Sequence, residues 1–245
     1  MPIVVDDAIV LARYPFRERS SVGVFLTKKA GVLRGVVRGL RSRNPAFGVL
    51  EPLAQVRLTM FVSPRTDLAT VDEVVLCQSW LDLAQKPLSW AAAQVAAELA
   101  LEFCPVGTPQ EGFYRLLAKM PLWLFQGADP ELAVHYLQLW AIKLAGVLPD
   151  ITTCALCHSP ISRDTLRYLP GTGFTCDRHQ EGLSLSSTSL LFLQEALHLP
   201  LDKLTTSPGK DLAQVLNTMI RQYLEKDLRT LAIFRSLREK MQQGG

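Results

Sequence analysis

The chain has 245 residues, long for one small domain, and its 48% hydrophobic and 20% charged content is that of an ordinary globular protein. This excludes a disordered chain and a disulfide-held miniprotein, and five cysteines, an odd number, suit a reducing compartment better than a secreted framework. The net charge of +3 is small but uneven: Arg13, Arg17, Arg19, Lys28, Lys29, Arg34, Arg38, Arg41 and Arg43 face one acid, Glu18, which leaves the rest of the chain net acidic. Such asymmetry points to polyanion binding by one segment.

The opening MPIVVDDAIV places Asp6 and Asp7 where a secretory leader needs positive charge, and no 18-residue apolar run follows. A cytoplasmic protein without membrane contact is expected. Up to about residue 80 the chain alternates short β-branched runs with turn residues: IVVDDAIVLARY, SSVGVFLTKK, GVLRGVVRG, LAQVRLTMFV and TVDEVVLCQS predict five strands. Lys29-Ala30-Gly31 reads as a hairpin turn between the second and third, and residues 41–51, with Asn44-Pro45 and Gly48, as a longer loop. Five antiparallel strands in 80 residues can close as a small barrel, of which the oligonucleotide-binding (OB) barrel is one solution.

After residue 85 helical periodicity takes over. SWAAAQVAAELALEFC offers Ser89 as N-cap and Pro105 beyond its end, PQEGFYRLLAKMPLWLFQG predicts a helix bent or broken near Pro121, and DPELAVHYLQLWAIKLAG has Asp129 as cap, Pro130 at the first turn and Gly146 as terminator. Residues 150–183 are polar and turn-rich. SSTSLLFLQEALHLP and a long C-terminal stretch, DLAQVLNTMIRQYLEKDLRTLAIFRSLREKM, then return to helix, with Glu225 and Arg229 spaced i, i+4 as on an exposed face. The expected architecture is a multidomain, β plus α chain: a barrel over 1–80 and a helical bundle over 81–245 with an insertion at 150–183.

That insertion holds the sharpest local motif, Cys154-x2-Cys157 followed, after eighteen residues, by Cys176-x2-His179. Each pair forms a turn that aims two soft ligands at one point, so the four predict one structural zinc ion, with His158 as rival to His179 for the fourth position. A closed four-ligand shell leaves no open position for catalysis. The deaminase signature appears in the wrong order, and no P-loop, nucleophile elbow, H-E-x-x-H or dinucleotide fingerprint is present, so no enzyme is expected. In the basic segment, Arg34 and Arg38 are four apart and share a strand face, as do Arg17 and Arg19 if extended, and the planar guanidinium suits phosphate oxygens. Tyr14, Phe16 and Phe25 lie among the charges, where rings either stack unpaired bases or fill the core. Cys77 and Cys104 read as small buried hydrophobes.

Three stretches carry a family resemblance: ARYPFRERSSVGVFLTKKAGVLRGVVRGLRS, LEPLAQVRL and YLQLWAIKLAGVLPDITTCALC. In these, and in the order of basic barrel, helices and inserted cysteine motif, the chain resembles the bacterial DNA repair RecO family from end to end. The resemblance implies an OB barrel with Arg34, Arg38, Arg41 and Arg43 on its DNA-contacting side. It further implies a recombination mediator that binds single- and double-stranded DNA, anneals complementary strands, and acts with RecR and single-stranded-DNA-binding protein to load RecA. Zinc-bearing members commonly show two CxxC pairs, whereas His179 stands at the fourth position here. The competing expectation is a zinc-stabilised protein-interaction scaffold whose basic face is only solvated.

Overall fold

The computed structural model describes residues 3–16, 20–38, 50–62, 68–161 and 166–243. It divides into two compact units, Met1–Gln126 with Thr230–Gly245, and Gly127–Arg229. The first unit opens with five strands, β1 (Ile3–Phe16), β2 (Ser20–Thr27), β3 (Gly31–Arg38), β4 (Gln55–Phe61) and β5 (Ala69–Gln78), closed into a barrel in the order β1-β2-β3-β5-β4. Four pairings are antiparallel and β3–β5 is parallel, the arrangement of an OB-type barrel. Closure depends on β1, which pairs with β4 through Ile3–Ile9 and with β2 through Ala8–Phe16.

Alternation fills the interior with Val10, Phe25, Val37, Val56, Leu58, Met60, Val71 and Val74. Two inward glycines make room for the large side chains: a Cβ on Gly23 would lie 2.4 Å from the Phe25 ring, and one on Gly35 would lie 2.4 Å from the Met60 methyl. The β2–β3 turn at residues 28–30 is tied by side chains. Thr27 Oγ1 donates to the Gly31 carbonyl (2.8 Å) and accepts from Ala30 N–H (3.0 Å), while the buried Asp6 carboxylate accepts from Lys29 N–H at 2.7 Å. Asp6 is thus a structural residue of the barrel.

Helix α1 (Pro87–Phe103) is rich in alanine and packs against β1 together with α2 (Glu111–Phe125). Ser89 is not the N-cap of α1: it is buried within the helix, Lys86 occupies the cap position, and Pro87 begins the first turn, where a missing N–H costs nothing. Helix α2 continues through Pro121. The predicted long C-terminal helix is instead two helices, α5 (Lys210–Leu224) and α6 (Arg229–Gln243), because Glu225 adopts a left-handed conformation (φ 56°) and ends α5. Glu225 and Arg229 therefore share no helical face. The Glu98 carboxylate of α1 accepts from the Thr230 N–H (2.8 Å) and from its hydroxyl, capping the start of α6 within the first unit.

The second unit contains α3 (Pro130–Leu144), with Asp129 Oδ1 accepting from Leu132 N–H at 2.7 Å as its cap, and α4 (Ser187–Ala196), capped by Ser186. Partly buried polar bonds join these helices to their neighbours: Gln138 Nε2 donates to Asn217 of α5 (2.8 Å), and Trp140 Nε1 to the Ala196 carbonyl (3.0 Å). A small antiparallel sheet, β6 (Leu166–Leu169), β7 (Gly173–Thr175) and β8 (Leu183–Leu185), in the order β7-β6-β8, carries the cysteine motif. Tyr168 OH donates to Gln222 Oε1 at 2.7 Å and anchors this sheet on α5. Among the described residues no helix is long and apolar enough to cross a membrane.

Gly31 has φ +70°, and a Cβ there would sit 2.1 Å from the Thr108 carbonyl oxygen, whereas Gly107 has φ +73° with open space around it. Gly31→Ala is expected to destabilise the protein by about 3 kcal/mol, through strain and clash together, and Gly107→Ala by only about 1 kcal/mol. Urea unfolding checks this. Equal losses would remove the Thr108 contact from the account.

Candidate metal centre and nucleic-acid interface

The two halves of the cysteine motif are built as facing turns. In the first, Thr153 and Pro160 form an isolated bridge, Cys154 N–H donates to the Ser159 carbonyl (2.9 Å), and His158 N–H donates to the Cys154 carbonyl (2.9 Å). The second follows β7, where His179 N–H donates to the Cys176 carbonyl at 3.0 Å. Ala155 N–H donates to the Phe174 carbonyl at 2.8 Å, which joins the first turn to the strand preceding the second. As a result one ligand atom each of Cys154, Cys157, Cys176 and His179 lies within 4.8 Å of every other.

This donor set fits a metal ion. Metal–sulfur bonds of about 2.3 Å in a tetrahedron separate neighbouring sulfurs by about 3.8 Å, and Cys157 Sγ and Cys176 Sγ are 3.7 Å apart. The Nε2 atom of His179 is buried and has no hydrogen-bond partner, as expected of a nitrogen reserved for a cation. His158 is exposed, sits at φ 58° and lies outside the cluster, so the structure brings His179 to the fourth position. Ser159 holds the Cys157 thiol down to about 7 by hydrogen bonding from its hydroxyl and backbone, which favours the thiolate that ligation requires.

Two polar partners of the cluster went unread in the sequence. Ser159 Oγ lies 3.1 Å from Cys157 Sγ and 3.8 Å from Cys176 Sγ, and Arg178 Nη2 donates to Cys157 Sγ at 3.2 Å. Each stands two positions after a cysteine, where an x2 turn folds it back. Cys154 and Cys176 are buried and Cys157 is exposed. Of the two cysteines outside the motif, Cys104 is buried, which pushes its thiol up to about 12, but Cys77 is exposed, contrary to the expectation of a core residue.

The basic segment distributes over both faces of the barrel wall. Register places Ala12, Val24 and Arg34 in one row and Tyr14, Val22 and Val36 in the next, all on the outer face, with Arg34 and Tyr14 exposed. Arg13 takes the other face. It lies opposite Gly23 and its Nε donates to the Oγ of inward-facing Ser21 at 3.1 Å. Lys28 and Lys29 are exposed at the β2–β3 turn. Phe25 is core, with no exposed surface. Arg17, Arg19, Arg41 and Arg43 lie outside the described residues, as does the side chain of Arg38, whose backbone pairs with Ser20. Among the described residues no salt bridge joins Arg34, Lys28 or Lys29. On the β1–β4 wall, by contrast, Arg57 is neutralised by Asp7 at 2.9 Å, which raises the guanidinium's already high affinity for its proton.

Comparison with known proteins places this geometry. The family model described as recombination protein O N terminal matches residues 1–80, and recombination protein O C terminal matches residues 84–232. The chain is 27% identical to the DNA repair protein RecO of Koribacter versatilis over 241 residues, 95% of this chain and 98% of that protein. It is 25% identical to RecO of Dehalococcoides mccartyi over 94% of both chains, and 30% identical to RecO of Cutibacterium acnes over 65% of this chain and 68% of that one. Two adjacent domain models and full-length relatives agree on one assignment, and the chain belongs to the RecO family of DNA repair proteins.

Proposed function

We propose that this protein is a non-enzymatic recombination mediator, which binds single- and double-stranded DNA through the outer β1–β2–β3 face of its barrel and anneals complementary strands. The observation that carries this reading is the juxtaposition of exposed Arg34 and exposed Tyr14 in adjacent rows of that face, within a RecO-family barrel. Residues 1–80 act as the DNA-binding module, and 81–245 as the helical module with its zinc insertion at 150–183. Of the basic residues, Arg34 on the outer face, Lys28 and Lys29 at the β2–β3 turn, and Arg17, Arg19, Arg38, Arg41 and Arg43 are proposed to supply the phosphate contacts, whereas Arg13, on the other side of the wall and bonded to Ser21, is left out of that face.

Annealing asks little of the protein chemically. Two polyanions repel each other, and a surface that neutralises both releases counterions and lets base pairing select the match. Guanidinium groups bind phosphates without recognising sequence, and an exposed ring stacks any base. No nucleophile is required. RecR and single-stranded-DNA-binding protein are the proposed partners, RecA the indirect beneficiary, and the nucleoid of the cytoplasm the site of action, as the family resemblance implies.

The metal is proposed to be one structural zinc ion held by Cys154, Cys157, Cys176 and His179. When bound, it would supply a cross-link between the two turns that flank the short β6–β8 sheet. The chain's own residues set the geometry: the Thr153–Pro160 bridge and the Ala155–Phe174 bond hold the turns face to face, and Ser159 and Arg178 favour the thiolate form.

Fluorescence anisotropy of a labelled oligonucleotide, titrated at several salt concentrations, tests the DNA reading. Arg34→Glu is expected to weaken binding roughly tenfold, about 1.4 kcal/mol, and to reduce the salt slope by about one phosphate contact. Tyr14→Ala is expected to cost about 1–3 kcal/mol on single strands, and far less on duplex, whose bases are not free to stack. Unchanged affinity and slope in Arg34→Glu would remove this face from the interface, and negligible binding by the wild type would favour the scaffold alternative.

Metal content tests the second half. Wild type purified without chelator is expected to carry one equivalent of zinc, and Cys154→Ser to carry substantially less and unfold at lower temperature. A metal-free wild type as stable as the zinc-loaded protein would sink the structural role.

A further inference from the structure

We propose that Cys157 is an oxidation site, through which peroxide opens the metal centre by linking Cys157 to Cys176 in a disulfide. The inference rests on the reading of the cluster as a metal site and adds a chemical sensitivity to it. Its basis is an asymmetry among three thiols that sequence spacing treats alike: Cys154 and Cys176 are buried, and Cys157 is the most accessible of the three. An oxidant in solution therefore reaches one sulfur first.

The surroundings of that sulfur suit the reaction. Arg178 Nη2 donates to Cys157 Sγ at 3.2 Å and Ser159 Oγ lies at 3.1 Å, so a cationic donor and a hydroxyl both face the sulfur that attacks. Cationic donors beside a partly exposed thiolate are the features that make cysteines reactive. A resolving thiol stands ready: Cys176 Sγ is 3.7 Å away, on the opposite turn. Reactive, accessible and next to a resolving cysteine is the combination found in redox-sensitive sites.

The step balances with hydrogen peroxide as the oxidant. The Cys157 thiolate attacks one peroxide oxygen, the S–O bond forms, the O–O bond breaks and hydroxide leaves, giving a sulfenic acid. The Cys176 thiolate then attacks the sulfenic sulfur, the S–S bond forms and a second hydroxide leaves. Sulfur is oxidised by two electrons and peroxide is reduced by two. The cluster keeps only Cys154 and His179 as ligands, too few to retain the ion. Because the new bond joins the same two turns that the metal joined, the β6–β8 sheet is expected to stay folded after the ion leaves. Reduction by a dithiol reverses the step.

The test treats the full-length protein, its metal content first measured by elemental analysis, with dilute hydrogen peroxide. Released zinc is read with a chromophoric chelator, and disulfides are mapped by proteolysis and mass spectrometry. The expected result is loss of one equivalent of zinc together with a Cys157–Cys176 peptide lighter by two hydrogens, with both changes undone by dithiothreitol. Arg178→Ala keeps all four ligands but loses one donor to the Cys157 sulfur; loaded with zinc to the same content as the wild type before the assay, it should release the metal several-fold more slowly under peroxide. A Cys154–Cys157 or Cys77-linked disulfide, zinc retention under peroxide, or an unchanged rate in Arg178→Ala would each overturn the proposal. A wild type that carries no metal yet forms the 157–176 disulfide would overturn the metal reading and leave the oxidation site standing.

Discussion

The first unit depends on one local irregularity, the bulge at Leu11 in β1. A strand that must pair with β4 along its first half and with β2 along its second has to bend sharply to close the barrel, and an extra residue provides that bend. The bulge also reverses the alternation. Before it Ala8 and Val10 face inward, and after it the register puts Ala12 and Tyr14 outward with Arg13 on the inner side. Had strict alternation continued, Tyr14 would have faced inward opposite Ser21 and Arg13 would have joined Arg34 outside. The closing of the barrel and the composition of the proposed DNA face are therefore set by the same residue.

The second unit solves a different problem. A three-stranded sheet with strands of three or four residues is short, although it buries Leu166, Tyr168, Phe174 and Leu185, and the turns that flank it are rich in polar and glycine residues. To this buried apolar set the region adds the convergence of three thiols and an imidazole and the Tyr168–Gln222 bond that fastens the sheet to α5. A metal ion placed there stabilises the folded state by binding it alone. Coordination would therefore add to the packing of Phe174 and its neighbours, whereas the barrel relies on packing Phe25, Met60 and their neighbours alone.

Much of this was legible in the sequence. The five strands coincide with the β-branched runs to within two residues at their ends, and the Asp129-Pro130 start of α3 was readable because cap chemistry is local. The ligand quartet was readable because an x2 turn constrains two side chains at once. Other features depend on atoms distant in the chain. Ser89 has the right chemistry for a cap, but Pro87 begins the helix earlier and leaves the serine buried. The break between α5 and α6 falls at Glu225, where a non-glycine residue takes a left-handed conformation that composition does not announce. Asp6 looked like evidence against a leader and is the acceptor that holds the β2–β3 turn. The bulge was invisible because Leu11 is as apolar as its neighbours, and with it the parity of Arg13 and Tyr14.

Charge placement completes the argument for which wall of the barrel meets a ligand. Both walls carry exposed arginine, so a count of cations does not separate them. On the β1–β4 wall Arg57 is matched by Asp7 at 2.9 Å, and Val5 and Ile3 extend the same face as uncharged surface. An ion pair of this kind contributes little to stability, but it cancels the field that would draw a polyanion. On the β1–β3 wall the described residues in the rows around Arg34 carry no acid, and the outward-facing neighbours are Ala12, Val24, Val22, Val36 and Tyr14. A guanidinium set among such side chains loses no attraction to an internal counter-ion, so the long-range field of the proposed DNA face survives at the distances where a strand is first captured.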